Sequence, residues 1–538
     1  METSISPLTP LSFLHRSANV HPGKPAVVYG EDVWTYREFA AKVEQRARML
    51  RAAGVRPGDR VAYLMPNVPE MLAAQFAVPL AGAVLVAINT RLAPEEVRYI
   101  LDHSGATLVV LDAEYAGSVA PVARTLETVR TIAVAADPAQ PGVGVEVTGA
   151  VAFEDLLAGA ARDDGELAWT VTSERSPLAI NYTSGTTGRP KGVIYTHRGA
   201  YLNSFGQIFH SAFDADSVYL WTLPMFHCNG WCTPWALAAA GGTQICLREV
   251  RGDRVWDLID RHHVTHLNGA PTVVTTILNA PRAHRLDRPL VVTTAGAPPS
   301  PTTLAEAERM GFSIVHVYGL TETYGPYAVN VHQRAWEGLE AGERAALRAR
   351  QGVGMLPSDG IRVVDRDMRD VPRDGRTMGE IVMRGNTVMH GYHRDPEATA
   401  AAFAGGWFHS GDLGVLHPDG YVELRDRAKD VIISGGENIS TVEVEHAVAA
   451  HPDVLEVAVV GVPDDRWGER PKAFVVPRPG RNPTEAGVLA HVRERIARYK
   501  APREVEIVAE LPKTSTGKVR KHELREREWS GEAMRIRG

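Results

Sequence analysis

Residues 181–192 read NYTSGTTGRPKG and directly follow the apolar residues 177–180. Residues 183–188 comprise three threonines, one serine and two glycines, and the cations Arg189 and Lys191 come next. Glycines let backbone amides turn toward a ligand, hydroxyls add donors and cations add positive charge, a combination that suits a triphosphate. The Walker pattern G-x-x-x-x-G-K-[ST] cannot be laid over the stretch. For this composition alone, a polar surface turn is the alternative interpretation.

The chain around this loop alternates between strand-like and helix-like segments. Before the loop we predict, in turn, a helix at residues 44–53, a strand at 61–65, a helix at 69–80, a strand at 83–88, a helix at 94–101 and a strand at 107–111. A comparable run covers residues 177–325, after a loop rich in proline and glycine at residues 137–149. Such alternation predicts parallel strands joined by crossover helices, and therefore an α/β fold built in layers.

The pattern changes in the second half of the chain. Residues 336–350 are highly charged and predict a solvated helix, whereas residues 352–423 predict a small β subdomain made of short strands. Charged and turn-forming residues at 425–430 then separate two hydrophobic patterns. We therefore predict an N-terminal domain over residues 1–426 and a C-terminal domain over residues 427–538.

The C-terminal domain has an α/β pattern of its own. Helices are predicted at residues 442–450 and 486–499, and strands at residues 454–462 and 472–476. The order of these segments predicts a small α+β unit beside the larger domain.

The 538 residues carry a formal net charge of −6, with 44% hydrophobic and 23% charged residues. These values are ordinary for a globular protein and show no basic footprint, so nucleic acid is not expected as a partner. Three cysteines exclude a disulfide framework and fit a reducing compartment. Cys228 and Cys232 lie beside His227, but without a second short cysteine pair we favour apolar packing over zinc binding.

Targeting and membrane signals are missing from the sequence. Residues 1–30 lack a basic start followed by an apolar stretch, so no signal peptide is predicted. No run of about eighteen apolar residues lacks a charge or a breaker, so no integral membrane segment is predicted. The residues RIRG at 535–538 are not a peroxisomal address. We therefore expect a cytoplasmic protein.

Seven further motifs follow the glycine-rich loop in order along the chain. They are PMFHCNGW at residues 224–231, TTAGAPPS at 293–300, VYGLTET at 317–323, GEIVMRGN at 379–386, FHSGDLG at 408–414, DRAKDVIISGGENI at 426–439 and PKTSTGKVRK at 512–521. Together with YTSGTTGRPKGV at residues 182–193, they resemble the signatures of the adenylate-forming (AMP-binding) superfamily, which includes acyl-CoA synthetases, adenylation domains of peptide synthetases and beetle luciferases. The resemblance spans residues 11–521 and is closest to acyl-CoA synthetases such as fatty acyl-CoA and methylthiopropionyl-CoA ligases.

The resemblance implies two domains of unequal size. Residues 1–426 would form an adenylation domain of layered α/β subdomains and a small β subdomain, which holds ATP and the acyl pocket. Residues 427–538 would form a small mobile α+β domain, joined by a hinge near Lys429. In this superfamily the small domain swings between two reaction steps. Residues 434–438, SGGEN, align with the face that approaches the thiol.

Catalytic roles follow from the same resemblance. Glu322 is expected to hold Mg²⁺, which takes one or two protein carboxylates besides phosphate oxygens. Lys518 is expected to stabilise charge on the α-phosphate, although a solvated basic tail is the alternative for that segment alone. Thr183, in the glycine-rich loop, is the third residue expected to act in catalysis.

The remaining nucleotide contacts come from several motifs. Tyr318 is expected to stack on adenine, Asp412 to accept hydrogen bonds from ribose hydroxyls, and Arg427 to contact ribose or phosphate. Residues 296–298 are expected to line adenine and the acyl pocket. The full set of contacts to ATP and coenzyme A that the resemblance implies is Thr183, Ser184, Gly185, Thr186, Thr187, Gly188, Lys191, Gly296, Ala297, Pro298, Tyr318, Gly319, Thr321, Asp412, Arg427, Lys429, Ser434, Gly435, Gly436 and Glu437.

The acid pocket is expected at His227, Asn229, Trp231 and Gly319, with Gly319 leaving room for the acyl group. Trp231 matches a gating aromatic residue of some fatty acyl-CoA synthetases, but Trp231 and Trp235 lie four residues apart and could instead share one core-facing helical stripe. Peptide-synthetase domains carry an aspartate where His227 stands, so an α-amino acid substrate is disfavoured. The bulk of Trp231 favours a short, medium-chain or arylalkanoic acid.

The resemblance implies an ATP-dependent, AMP-forming acid–thiol ligase. An acid would attack the α-phosphate of ATP to give an adenylate and pyrophosphate, and a thiol would then displace AMP. ATP, Mg²⁺ and coenzyme A are the expected cofactor and substrates. A carrier protein, an amine or nitrite in diazotisation are the alternative partners, and luciferase-like oxidation is the alternative activity. A homodimer stays open at this stage.

Overall fold

The computed structural model describes residues 4–137, 140, 144–183, 189–296, 301–427, 430–434, 437–464, 466–514 and 517–529. Over these residues the strands form sheets of nine, seven, five and four strands. Helices cover and separate the two large sheets, which are mainly parallel. The predicted α/β fold in layers is therefore confirmed.

The seven-stranded sheet carries the glycine-rich loop. Its strands, in spatial order, are Val151–Ala152, Thr131–Ala135, Ala106–Asp112, Arg60–Leu64, Val84–Ala87, Pro177–Tyr182 and Gly192–Thr196. All neighbouring strands are parallel except the last pair, which forms an antiparallel hairpin. The hairpin places the loop at the carboxyl end of Pro177–Tyr182, where ligands of parallel sheets usually bind.

The nine-stranded sheet carries the acid-pocket motifs. Its strands, in spatial order, are Val353–Gly354, Gly325–Val329, Phe312–Leu320, Leu290–Thr294, His266–Gly269, Val218–Leu220, Thr243–Ile245, Pro25–Tyr29 and Asp32–Thr35. The central strands are parallel and both edges are antiparallel. Residues 293–296 and 317–323, which belong to two of the motifs, therefore lie where neighbouring parallel strands end.

A layer of helices lies between the two large sheets. Helix Pro69–Leu80 is apolar on nearly every side and is buried from Met71 to Leu80, as expected for a helix without a polar face. One core cluster contains Tyr63 of the seven-stranded sheet and Tyr219 of the nine-stranded sheet together with this helix. The two sheets therefore share one core.

The other helices lie along the chain as follows. Apart from Cys228–Trp231, a four-residue turn with left-handed φ values, the α-helices of four or more residues are Leu11–Val20, Tyr36–Ala52, Pro94–Ser104, Ala116–Val119, Phe153–Ala158, His197–Ser211, Thr233–Ala240, Gly252–His262, Pro271–Leu278, Pro301–Arg309, Ala341–Ala349, Pro396–Ala402, Thr441–Ala449, Glu485–Arg493 and Lys521–Trp529. None of the helices among the described residues combines the length and the apolar character that crossing a bilayer requires.

The two smaller sheets lie in the second half of the chain. The antiparallel four-stranded sheet consists of Arg362–Val364, Gly379–Met383, Phe408–Leu416 and Val422–Arg427. The five-stranded sheet consists of Glu437–Ile439, Ile432–Ser434, Gly468–Pro477 and Val454–Asp464, with Glu504–Ile507 paired to Gly468–Pro477. The predicted boundary at residue 426 falls within Val422–Arg427, the last strand of the four-stranded sheet, and stays a prediction.

Three predicted helices show the largest differences from the structure at their ends or in their continuity. The first begins at Tyr36, eight residues early, because Thr35 and Glu38 form a capping box there. The single solvated helix at residues 336–350 is wrong: a 3₁₀ turn precedes Ala341–Ala349, and Trp336 is buried against Tyr421. The helix predicted at residues 486–499 ends at Arg493.

Candidate active site

The glycine-rich loop is held by its hairpin. Tyr182 pairs with Gly192, and the backbone N–H of Thr183 donates to the carbonyl of Lys191 over 3.0 Å. Residues 184–188 lie outside the described part of the chain, so the phosphate contacts predicted for Ser184, Gly185, Thr186, Thr187 and Gly188 stay predictions. Thr183 and Lys191 are therefore placed together at the base of the loop.

Glu322 lies on a short 3₁₀ turn, Thr321–Thr323, that directly follows strand Phe312–Leu320. The Tyr392 hydroxyl donates to Glu322 Oε1 over 2.9 Å, and the Met389 N–H donates to the Glu322 carbonyl over 2.7 Å. From the other large sheet, the Tyr195 hydroxyl donates to the Thr321 carbonyl over 2.6 Å. The backbone of the 3₁₀ turn is thus fixed from both sides, and the Glu322 carboxylate is held by the Tyr392 hydroxyl.

Lys191 and Glu322 meet at the same tyrosine. The Lys191 ammonium lies 4.8 Å from the centre of the Tyr392 ring, whose hydroxyl contacts Glu322. Burial and the neighbouring Glu322 charge raise the pKa of Tyr392, so its phenol stays protonated and remains a donor. A carboxylate and a cation beside a phosphate loop suit a metal-bound triphosphate.

The predicted adenosine contacts also lie together. The Tyr318 hydroxyl donates to Asp412 Oδ2 over 2.7 Å, and both residues are buried. Asp412 stands opposite Arg427 in the antiparallel pair of the four-stranded sheet. Gly296 has φ +93° and open space at its Cα, whereas Ala297 and Pro298 lie outside the described residues. Tyr318, Asp412 and the backbone of Arg427 therefore lie together, and their contacts with the nucleoside stay predictions.

His227 and Lys518 approach each other although they belong to different domains. Burial first, and then the charge of Lys518, lower the pKa of His227 to about 4, so the imidazole is neutral near pH 7. The preceding Gly517 has φ +82°, and a Cβ there would overlap Thr272 Oγ1. Arg91 Nη1 also donates to the Thr514 carbonyl over 3.5 Å. The C-terminal loop is thus docked against the N-terminal domain, with Lys518 near His227 of the predicted acid pocket.

A left-handed turn follows His227. Residues 228–232 have φ values of +49°, +42°, +54°, +59° and +60°, and helix Thr233–Ala240 begins only afterwards. A left-handed non-glycine residue costs about 1–2 kcal/mol, and strain of this kind concentrates at functional sites. Trp231 and Trp235 therefore do not share one helix, and the single helical stripe is excluded.

The two tryptophans pack in different places. Trp235 Nε1 donates to the Gln75 carbonyl over 3.2 Å within the core between the sheets. Trp231 packs against strand Gly325–Val329, where a Cβ on Gly325 would lie 2.6 Å from Trp231 Cδ1. Trp231 belongs to a separate apolar cluster with Leu223, Cys228, Val317, Val329 and Met355. That this cluster forms a wall of the acyl pocket stays a prediction.

The other predicted pocket residues have structural partners. The Asn229 side-chain amide donates to Gln75 Oε1 over 2.6 Å, and its oxygen accepts from Asn181. Gly319 pairs with Pro326, and a Cβ there would overlap the Gly325 carbonyl oxygen. The close backbone approach alone therefore requires glycine at 319, and contact of Asn229 or Gly319 with the acid stays a prediction.

Several thiol-side and hinge residues lie at the limit of the described chain. Lys429, Gly435 and Gly436 lie outside it, while Ser434 pairs with Glu437 in the five-stranded sheet. The cysteines are buried, and burial raises the pKa of the Cys228 thiol to about 12. Cys228 is therefore protonated near pH 7, and its packing role is the one that the structure supports.

Sequence reasoning missed Tyr392 and Tyr195. Both contact the 3₁₀ turn that carries Glu322, yet they lie 70 and 126 residues away from their partners in sequence. A tyrosine in a loop or strand carries no local signal of such a contact. For Tyr392, the contact becomes visible only in the structure, where its backbone pairs with Val193 of the glycine-rich hairpin.

Comparison with known proteins agrees with this geometry. The AMP-binding enzyme family matches residues 14–393, and the AMP-binding enzyme C-terminal domain matches residues 443–518. An acetate–CoA ligase of Humulus lupulus is 44% identical, over 96% of this chain and 94% of that protein. A trans-cinnamate:CoA ligase of Petunia hybrida, named as peroxisomal, is 39% identical over 97% of this chain and 94% of its own length.

Solved structures share the whole architecture. The anthranilate CoA ligase AuaEII in complex with anthranoyl-AMP has a TM-score of 0.85 at 25% identity, covering 98% of this chain and 99% of that chain. ATP-bound MatB from Rhodopseudomonas palustris has a TM-score of 0.82 at 29% identity, covering 97% and 99%. The predicted superfamily is confirmed: the chain belongs to the AMP-binding enzyme family, among its ATP-dependent acid–CoA ligases.

Proposed function

We propose that the protein joins a short, medium-chain or arylalkanoic acid to coenzyme A through an acyl-adenylate. The docked C-terminal loop supports this proposal most directly, because it brings the Lys518 charge to the half-buried His227, which is next in sequence to Cys228 of the Trp231 cluster. Similar proteins are named for acetate, 2-methylpropanoate and trans-cinnamate, which are all small acids.

In the first step, a carboxylate oxygen of the acid attacks the α-phosphorus of ATP. A new bond forms between that oxygen and phosphorus, the bond to the β-phosphate breaks, and pyrophosphate leaves. Lys518 stabilises the negative charge that accumulates on the α-phosphate oxygens, while Lys191 and Thr183 bind the departing phosphates. Because His227 is neutral, it can lie against the carboxylate of the acid without adding a second positive charge beside that of Lys518.

The site fits a magnesium ion at Glu322. Magnesium keeps several waters and takes one or two protein carboxylates besides phosphate oxygens, and Glu322 stands beside the base of the phosphate loop. The ion would supply positive charge to the phosphates, and Tyr392 would orient the carboxylate that holds it.

In the second step, the thiolate of coenzyme A attacks the acyl carbon of the adenylate. The carbon–sulfur bond forms, the bond to the phosphate oxygen breaks, and AMP leaves with that oxygen. We propose that the C-terminal domain turns at Lys429 between the steps, which removes Lys518 and presents residues 434–438 to the thiol. No enzyme thiol is needed as a nucleophile.

Trp231 is proposed to limit the length of the acid. Trp231→Leu should raise kcat/KM for hexanoate relative to acetate by about tenfold, which is the effect of burying about two further methylenes at about 0.8 kcal/mol each. Trp235→Leu is the matched control, since it removes the same ring from the core away from Leu223 and Val317. Pyrophosphate exchange gives the ratio of kcat/KM for hexanoate to that for acetate in each variant. This ratio does not depend on the fraction of the protein that is folded. An unchanged ratio in Trp231→Leu contradicts the proposal.

Pyrophosphate exchange also tests the function as a whole. The wild-type protein should exchange pyrophosphate into ATP with at least one acid among acetate, 2-methylpropanoate, hexanoate and trans-cinnamate, and coenzyme A should convert that acid to a thioester. Exchange without thioester formation would point to a carrier protein, an amine or nitrite as the partner. Light emission or oxygen uptake would point to luciferase-like oxidation.

A homodimeric assembly and a cytoplasmic location are secondary proposals. Similar proteins include ligases named as peroxisomal, so location is tested by fractionation of cells that express the protein. Sedimentation of the purified protein tests the assembly.

A further inference from the structure

Residues 389–393, which lie outside the sequence motifs, are fixed to the stem of the glycine-rich hairpin. Ile194 N–H donates to the Gly391 carbonyl over 3.0 Å, and His393 N–H donates to the Gly192 carbonyl over 2.7 Å. Between these bonds, Tyr392 forms a bridge with Val193. The backbone of Tyr392 therefore moves with the strand that leads out of the phosphate loop.

The same segment also holds the 3₁₀ turn of Glu322. Its backbone bonds the Glu322 carbonyl through Met389 N–H over 2.7 Å, and its side chain bonds the Glu322 carboxylate through the Tyr392 hydroxyl over 2.9 Å. The Tyr392 N–H in turn donates to Thr399 Oγ1 over 2.9 Å, so the tyrosine backbone is fixed as well.

The face of the Tyr392 ring holds a cation. The Lys191 ammonium lies 4.8 Å from the ring centre, within the range in which aromatic rings attract ammonium groups. One half-buried ring thus contacts a carboxylate at its edge and an ammonium on its face.

We propose that Tyr392 is a positioning residue for adenylate formation, which holds the Glu322 carboxylate with its hydroxyl and the Lys191 ammonium with its ring so that both face the metal-bound triphosphate. The proposal rests on the role proposed above for Glu322 as the magnesium carboxylate. Tyr392 acts indirectly, because it fixes the positions of the Glu322 carboxylate and the Lys191 ammonium and does not contact the reacting atoms itself.

The hydroxyl and the ring can be tested separately. Tyr392→Phe keeps the ring and loses the bond to Glu322, and should raise the magnesium concentration for half-maximal pyrophosphate exchange by about tenfold, with kcat at saturating magnesium changed less than about threefold. Tyr392→Leu also loses the ring, and should further raise KM for ATP by about threefold. Conversion of a supplied acyl-adenylate to thioester should be unchanged in both variants.

A matched control is available elsewhere in the chain. The Tyr29 hydroxyl donates to Asp137 Oδ2 over 2.6 Å, so Tyr29→Phe removes the same kind of bond away from the phosphate loop. Tyr29→Phe should leave the magnesium dependence at the wild-type value, and thermal unfolding shows whether each variant is folded.

Coupling to Glu322 decides between positioning and general destabilisation. If Tyr392 acts through the carboxylate, Tyr392→Phe should add no further shift in magnesium dependence to a Glu322→Ala variant, which has no side-chain oxygen to accept the tyrosine hydrogen bond. A wild-type magnesium dependence in Tyr392→Phe, or an equal additional shift in the Glu322→Ala background, overturns the proposal for Tyr392 alone. A wild-type magnesium dependence in Glu322→Gln overturns the role of Glu322 as well, whereas loss of exchange in the wild type refutes the proposed function itself.

Discussion

Replacement of Lys518 by alanine is expected to slow acyl-adenylate formation by about 10²–10³-fold, the usual effect of removing one group that stabilises a charged transition state. The loop before Lys518 is docked on the N-terminal domain, where Gly517 fits closely against Thr272. Burial and then the Lys518 ammonium lower the pKa of His227, a residue of the predicted acid pocket. Loss of the ammonium should therefore affect the step at the α-phosphate.

The two half-reactions separate this role from a general defect. Pyrophosphate exchange measures adenylate formation, and thioester formation from a supplied acyl-adenylate measures the second step, which Lys518→Ala should retain within about threefold. Lys513→Ala is the matched control, because Lys513 pairs with Glu456 inside the C-terminal domain over 2.7 Å. Equal losses in both half-reactions would refute a specific role for Lys518 in the first.

Glu322→Gln is expected to lower pyrophosphate exchange by about 10²-fold at fixed magnesium, because an amide is a poor magnesium ligand. The substitution preserves shape, and the remaining amide oxygen can still accept the hydrogen bond from Tyr392. The fold of the 3₁₀ turn should therefore survive, and the loss should be partly recovered at high magnesium concentration.

A surface carboxylate of the same domain provides the comparison for Glu322. Glu174 accepts a hydrogen bond from Arg198 over 2.7 Å and bonds the backbone of Leu8. Glu174→Gln should leave exchange near the wild-type rate. Full exchange by Glu322→Gln at every magnesium concentration would remove the magnesium site from the proposal.

Elements with strong local composition were predicted closely from the sequence. Helix Pro69–Leu80 has the predicted bounds because its apolar run is bounded by proline and followed by Gly82. The start of helix Tyr36–Ala52 was missed, although Thr35 and Glu38 carry the spacing of a capping box. Trp336 was misplaced because its burial depends on Tyr421, which lies in another element.

The candidate site divides in the same way. Short motifs pointed to Glu322, Asp412 and Lys518, and the structure adds the bond between Tyr318 and Asp412. The left-handed turn at residues 228–232 could not be read from HCNGWC, since four of its five residues are not glycine and disfavour that conformation. Tyr392 gave no signal because its partners come from two other segments.

The transfer of oxygen from the acid to AMP tests the central claim most directly. The protein is incubated with ATP, magnesium, coenzyme A and an acid whose carboxylate carries ¹⁸O, and the products are analysed by mass spectrometry. An acyl-adenylate pathway predicts AMP that carries one labelled oxygen, pyrophosphate without label and one thioester per AMP. Formation of ADP, or label in inorganic phosphate with none in AMP, would contradict attack of the acid on the α-phosphorus.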